Sequence, residues 1–357
     1  MKKKIGIMSM QRIVNYGSFL QAFGLKDTLE KLGFDIQFVD YNYERTISEL
    51  EKKTLIRKII ENINVIEFIR KKKVIWKFKI KYKNEYIKML GINIINHNPN
   101  IDALVIGSDE VFNCLQGYPV GYSRELFGKN YESIDVISYA ASFGHTRLEM
   151  LSEYGIDSEI SELLKQMKNI SVRDENSFNI VKQLTGKEPI INLDPVLISS
   201  YDNYITNKVK LKDYIVVYAY TGRLTLEEEK YIKKFAKKNK KKIVSLGMYQ
   251  RIADYNLVVS PFEVLEYIKK SDYVITDTFH GTIFSIINHS KFCTIIRDSN
   301  KNKLSFLLYK LKLQNRMVNK INDVQKLFNE KIDYKETDEI INLEKEKTRQ
   351  YLVKNLK

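Results

Sequence analysis

The chain has 357 residues, 44% of them hydrophobic and 11% aromatic, which is enough apolar material for two folded domains and too much for a disordered chain. Its 59 Lys and Arg against 44 Asp and Glu give a net charge of +15, which points to an anionic partner without fixing a fold. Two cysteines (Cys114, Cys293) rule out a disulfide framework, four scattered histidines (His97, His145, His280, His289) argue against a metal centre, and no apolar run is long enough to span a bilayer.

In the opening MKKKIGIMSMQRIVNYGS, Gln11 and Arg12 break the apolar stretch too early for a signal peptide, so a soluble, cytoplasmic protein is expected. Lys4–Met8 predicts a short buried strand, 11–18 a polar loop, and Phe19–Leu32 a helix stopped by Gly33. A second strand, 36–39, ends at Asp40, and the strand–loop–helix–strand order opens a parallel α/β sheet. Segment 51–90 then carries thirteen Lys or Arg against four Glu, a net +9, among them Lys52, Arg57 and the run Arg70–Lys73. Ile59, Ile60, Ile63, Ile66 and Ile69 recur there at helical spacing, and Trp76, Phe78, Tyr82 and Tyr86 interleave with lysines. Three readings stay open for it: a solvated helical face, a docking surface for an anionic membrane leaflet, or nucleic-acid binding, the last without any supporting signature.

Strands at 103–106 and 136–139 end in Gly107-Ser108-Asp109 and Ala140-Ala141-Ser142-Phe143-Gly144. Helix 160–167, strand 169–172, helix 175–184 and strand 190–193 follow, the last running into Asp194-Pro195. A polar stretch, 199–212, reads as an inter-domain connection. A second series begins with strand 215–219 and continues through helix 226–238, strand 242–246, helix 261–269, strand 273–276, helix 282–288 and strand 292–296. The domains are therefore drawn at 1–198 and 212–330, with a charged tail, 334–357, packing back as a helix. The fold class is α/β, two Rossmann-like domains facing across a cleft.

Ligands of such sheets bind where strands end. The segment Asp272–Ile287 brings Asp277, Thr278, His280, Gly281 and Thr282 to the end of a buried strand, with a helix expected just after Gly281. Free N–H groups of a first helical turn suit a phosphate or carboxylate, and an imidazole beside them suits proton transfer. The plain alternative is a capping or core histidine. Arg173, at another strand end, carries a fork that matches carboxylate or phosphate oxygens, or else pairs with Asp174 or Glu175 at the surface. Asn15-Tyr16-Gly17-Ser18, Ser108-Asp109 and Ser142 would line the opposing rim with sugar-binding groups. No GxxxxGK[ST] or well-placed GxGxxG is present, which disfavours nucleoside triphosphate and dinucleotide chemistry.

Taken in order, Asn15-Tyr16-Gly17, Leu20-Gln21-Ala22, Gly107-Ser108-Asp109, Tyr139–Gly144, Ser171-Val172-Arg173-Asp174, Leu193-Asp194-Pro195, Asp277–Thr282 and Leu304–Leu313 with Arg316 resemble the polysaccharide pyruvyl transferase family over nearly the whole chain. The resemblance implies a fold like the B-type glycosyltransferases. It also implies transfer of an enolpyruvyl unit from phosphoenolpyruvate to a sugar of a cell-surface glycan, as in capsule or exopolysaccharide synthesis, closing a pyruvate ketal and releasing phosphate. His280 and Arg173 would then be catalytic, with Gly281, Thr282, Thr278 and Lys303 on the donor (Lys301 and Arg297 as alternates to Lys303). Asn15, Tyr16, Gly17, Ser108, Asp109 and Ser142 would face the acceptor. No metal or cofactor is implied beyond phosphoenolpyruvate as co-substrate. The implied partners are a glycan or lipid-linked oligosaccharide and a peripheral membrane contact through 51–90, with no nucleic acid. Two departures from the family pattern stand out: Glu-Val-Phe-Asn-Cys follows Asp109 where many relatives have Gln and Trp before the Asn, and Lys303 stands where Arg is expected. The rival reading is a nucleotide-sugar-dependent glycosyltransferase of the same fold, and a third is a non-catalytic scaffold in glycan assembly.

Overall fold

The computed structural model describes residues 2–47 and 65–357. Residues 51–64 of the basic segment, with Lys52, Arg57, Ile59, Ile60 and Ile63, lie outside the described residues.

Strand β1 (Lys4–Met8) leads through a capped turn into helix α1 (Tyr16–Lys31), and β2 (Asp35–Val39) follows. Helix α2 (Val65–Lys81) carries the remaining basic stretch. Next come β3 (Ala103–Asp109), β4 (Asp135–Ala141), α3 (Leu148–Glu153), α4 (Asp157–Gln166), β5 (Ser171–Val172), α5 (Glu175–Thr185), β6 (Ile190–Ile191) and the short α6 (Pro195–Ile198). These strands make one parallel sheet in the order β2-β1-β3-β4-β5-β6. The second half repeats the plan with β7 (Tyr214–Tyr218), α7 (Leu226–Lys238), β8 (Lys242–Leu246), β9 (Tyr255–Leu257), α8 (Pro261–Lys270), β10 (Tyr273–Thr276), α9 (Phe279–Ile287), β11 (Phe292–Ile295), α10 (Lys301–Lys310) and β12 (Met317–Val318). Its parallel sheet runs β12-β11-β10-β7-β8-β9. Helices α11 (Val324–Asn329) and α12 (Lys335–Leu356) close the chain. The central strands are continuous apolar runs, YIVVY in β7 and YVIT in β10, as a parallel sheet covered on both faces requires.

The outer face of each sheet has its own core, one around Phe112, Phe127 and Phe143, the other around Phe235, Tyr273 and Ile275. The inner faces share a third core. In it Phe23 of α1 packs edge-on against Phe262 of α8 at 5.0 Å, and the Tyr16 and Tyr86 hydroxyls both donate to the Val259 carbonyl of the second half. The stretch 199–212 is correspondingly packed: Tyr201 is buried and donates to Leu20 O, and Tyr204 stacks on Phe262. Helix α12 crosses between the halves. Tyr334, just before it, donates to Ser290 O in the second half, and near its end the Tyr351 hydroxyl donates to Ser138 O in β4.

The structure corrects two helix starts. Helix α1 begins at Tyr16, because Asn15 is extended and its side chain accepts the Gly17 N–H. Helix α9 begins at Phe279, because Thr278 caps it by accepting the Gly281 N–H, so His280 and Gly281 lie inside the first turn rather than before it. Strands β9 and β12 extend the second sheet beyond the expected set, and strand 169–172 narrows to Ser171–Val172.

Candidate active site

The carboxyl ends of both sheets face one cavity of about 290 Å³. From the first half it is lined by Asn15 and Ser18 after β1, Asp109 and Glu110 after β3, and Arg173 after β5. From the second half come Tyr220 and Arg223 after β7, Thr278, Phe279 and His280 after β10, and Ser299, Asn300 and Lys303 after β11. This is the crevice where open α/β sheets bind ligands, here built from two sheets.

Arg173 leaves the end of β5 with its backbone N–H on Ala141 O, and its side chain is 2% exposed. Nη1 donates to Asp194 Oδ2 at 2.9 Å and Nη2 to Asp109 Oδ1 at 3.2 Å, while the guanidinium lies 4.6 Å over the Phe279 ring. Asp174, the expected surface partner, instead caps α5 at Ser177 and accepts from Ser142 Oγ. Asp109 stands in the left-handed region (φ 78°) and also accepts from Ser18 Oγ at 2.9 Å, so it joins the α1 loop to Arg173.

His280 shares Asp194 with that guanidinium. Its Nε2 is 3.6 Å from Asp194 Oδ2 and is enclosed without a closer partner, and no such enclosure applies to Nδ1. Gly17 presses against this ring, and a Cβ there would overlap it, so glycine at the second position of α1 is what allows the histidine its place. Burial pushes the Asp194 carboxyl up, but the nearby His280, the charge of Arg173 and the Val196 N–H bring it below its ordinary value.

Lys303, in the first turn of α10, crosses the cavity to Glu110 Oε1 at 2.6 Å and lies 5.9 Å from the Phe279 ring centre. Burial pushes Glu110 up, and Lys303, Arg173 and the Asn113 amide overcome it, leaving its pKa at about 2. Lys303 is held charged in return: burial lowers its pKa, and the Glu110 carboxylate more than offsets that.

The sequence-derived residues thus divide. His280, Arg173, Thr278, Lys303, Asn15 and Asp109 meet at the cavity. Gly281 faces inward, where a Cβ would strike Thr276 and Thr278, and the Thr282 hydroxyl is spent on Thr278 O and Thr294. Tyr16 belongs to the inter-half core, Gly17 to the seat of His280, Ser108 donates to Ala140 O, and Ser142 to Asp174. None of these six side chains or glycines lines the cavity. Of the alternates to Lys303, Lys301 is exposed and Arg297 makes a two-point bond with Glu228. The sequence reading missed Glu110, Asp194, Arg223 and Phe279 as site residues. Asp194 was signalled by its place between a strand and Pro195, while Phe279 reads as an ordinary apolar residue until two cations are seen on its ring. Among the described residues no group of three His, Cys, Asp or Glu side chains is gathered to hold a metal ion.

Two facing parallel-sheet domains with a polar cavity at the strand ends define a protein with a B-type glycosyltransferase-like fold. Among solved structures, the glycosyltransferase of kitacinnamycin is similar at 8% identity over 100% of both chains, with a TM-score of 0.51. The MnaA of S. aureus, solved with UDP, is similar at 11% identity over 99% of this chain and 97% of its own, with a TM-score of 0.50. These likenesses concern the fold alone. The chain belongs to the polysaccharide pyruvyl transferase family, whose model matches residues 15–299. No curated protein matches it.

Proposed function

We propose that the protein transfers an enolpyruvyl unit from phosphoenolpyruvate to a sugar of a cell-surface glycan, closing a pyruvate ketal and releasing phosphate. The observation that carries this is the meeting of Arg173, Lys303 and His280 at one cavity, with His280 and Arg173 on the same Asp194 oxygen. A small substrate with several negative charges needs such cations, and one that must be protonated at carbon needs an acid beside them.

In this reading Asp194 holds the proton on His280 Nε2, and Nδ1 delivers one to the methylene carbon of the donor. The central carbon becomes electrophilic, and one acceptor hydroxyl adds to it and loses its proton. The bond to the phosphate oxygen breaks with its electron pair leaving on phosphate, and a second hydroxyl closes the ring. Of the two protons released by the hydroxyls, one re-protonates Nδ1 and the other leaves with phosphate. Asn15 and Asp109, on the opposite wall, would position the sugar.

The test is incubation with phosphoenolpyruvate and lipid-linked or synthetic glycosides, reading ketal mass and released phosphate, beside ligand-dependent melting shifts. Stabilisation by phosphoenolpyruvate and formation of a ketal are expected. Stabilisation by UDP, GDP or CMP with none by phosphoenolpyruvate would favour the nucleotide-sugar reading instead.

The same reading gives α2 a role at the membrane, where a lipid-linked acceptor would reside. One face of the helix places Phe78 in the shared core, while Ile69, Trp76 and Ile80 form an exposed apolar stripe on the opposite face. Exposed lysines, Lys72, Lys73, Lys77 and Lys79, border the stripe. An apolar stripe with a tryptophan and a lysine margin suits the surface of an anionic bilayer. Among the described residues no helix is long and apolar enough to cross one. Flotation with vesicles containing phosphatidylglycerol is expected, with about tenfold weaker binding for Trp76→Ser. Equal binding to neutral vesicles, or a dimer that Trp76→Ser dissolves, would remove the assignment.

A further inference from the structure

The cavity's arginine and lysine side chains are not equivalent. Arg173 is held by two carboxylates and Lys303 by one, all within 3.2 Å. Arg223, on the loop after β7, has only long contacts: Nη1 to Asp277 O at 3.3 Å and Nη2 to Ser299 Oγ at 3.4 Å. Among the described residues its one paired carboxylate, Asp277 Oδ2, stands 3.7 Å from Nε. That oxygen is buried, receives no hydrogen bond, and lies 3.5 Å from Nε of Arg297 as well. Burial pushes the Asp277 carboxyl above its ordinary value against the pull of the two arginines. Arg297 is engaged by its two-point bond with Glu228 and is turned away from the cavity. The Arg223 guanidinium rests 4.7 Å over the Tyr220 ring, which fixes its plane while its fork stays open.

Other donors converge on the same side of the cavity. The Ser299 hydroxyl accepts from Arg223 and donates to no group among the described residues. At the start of α9 the Gly281 N–H is taken by Thr278, and the Phe279 and His280 N–H groups meet no acceptor among the described residues. A planar fork, a hydroxyl and two amides without acceptors form a cradle for a phosphoryl dianion.

We propose that Arg223, with Ser299 and the open amides of α9, is a phosphoryl subsite of the cavity, distinct from the acid-paired cations Arg173 and Lys303. The assignment rests on the reading of the cavity as a donor site, and it places the phosphate end of phosphoenolpyruvate at Arg223. When the bond between the central carbon and the bridging oxygen breaks, the electron pair goes to the phosphate, and Arg223 stabilises the departing dianion.

The test is calorimetric titration of the full chain and of Arg223→Gln and Arg223→Lys with inorganic phosphate, phosphoenolpyruvate and UDP, with circular dichroism confirming the fold. Arg223→Gln is expected to weaken phosphate and phosphoenolpyruvate by about tenfold or more, and Arg223→Lys to recover part of that loss. Phosphate affinity within about twofold of the wild type in Arg223→Gln, or no phosphate binding to the wild type at millimolar concentration, overturns the subsite. Binding of UDP and phosphate through Arg223 without binding of phosphoenolpyruvate would keep the subsite and sink the donor reading.

Discussion

The two walls of the cavity are built on the same strand–loop–helix plan, yet they treat charge in opposite ways. On the first wall Arg173 lies between Asp109 and Asp194, and Glu110 reaches across to hold Lys303 of the second. On the second wall, among the described residues, Arg223 has no carboxylate within 3.5 Å and two amides of α9 have no acceptor. A guanidinium buried between two carboxylates is a fixed part of the frame, whereas a loosely held one is ready to exchange its contacts for those of a ligand. The first wall therefore fixes Arg173 and His280 in place, and the second adds an arginine free to exchange its contacts for those of an anion.

The largest test of this contrast is Asp194→Ala. It removes an acid from Arg173 and the carboxylate beside His280, and leaving a buried charge under-compensated costs about 3–5 kcal/mol. Urea unfolding should read that loss, and a cost below about 1 kcal/mol would mean the first wall is not the fixed one. Asp194→Asn, which keeps the shape, should stay folded while ketal formation falls about a hundredfold through the misplaced His280 proton. Next in size is Gly17→Ala, whose methyl group would overlap the His280 ring. Overpacking of this kind costs about 1–3 kcal/mol. A lower melting temperature together with loss of ketal formation is expected; unchanged activity would show that the ring is free to move.

The smallest effect is that of Glu110→Gln. The Glu110 carboxyl is drawn down from its ordinary 4.5 to about 2, so its pairing with Lys303 stabilises the fold fully above pH 4.5 and is lost as pH falls through about 2. The wild type should exceed Glu110→Gln by about 1–2 kcal/mol at pH 7, and the two stabilities should converge as pH falls from 4.5 towards 2. A constant difference across that range would assign the stabilisation to packing rather than charge. Freed of its acid, Lys303 should also bind anions more tightly in this variant, about threefold or more.

How far the sequence disclosed all this depends on the distance over which each signal acts. Local signals were readable: YIVVY and YVIT mark buried strands, and small or polar residues after each strand mark the crevice, so both sheets and the DTFHGT segment could be placed. The starts of α1 and α9 were both set three residues late, because Asn15 and Thr278 act as caps that admit polar and glycine residues into a first turn. Strands β9 and β12 are too short to show a pattern. The charge pairs were out of reach: Glu110 and Lys303 are 193 residues apart, and Arg173 passes over its neighbours Asp174 and Glu175 for acids 64 and 21 positions away. Arg223 was hidden for the opposite reason, since its significance lies in having no close acid, which only coordinates reveal.

The last helix gives these walls a mechanical setting. Because α12 is rooted beside Ser290 and finishes against β4, with Leu352 and Leu356 fully buried, it acts as a rivet through both lobes. A wide clamshell gape would have to break those contacts with both halves. Trimming the chain at its carboxyl end would loosen the jaw as a whole, far from any atom that meets the substrate.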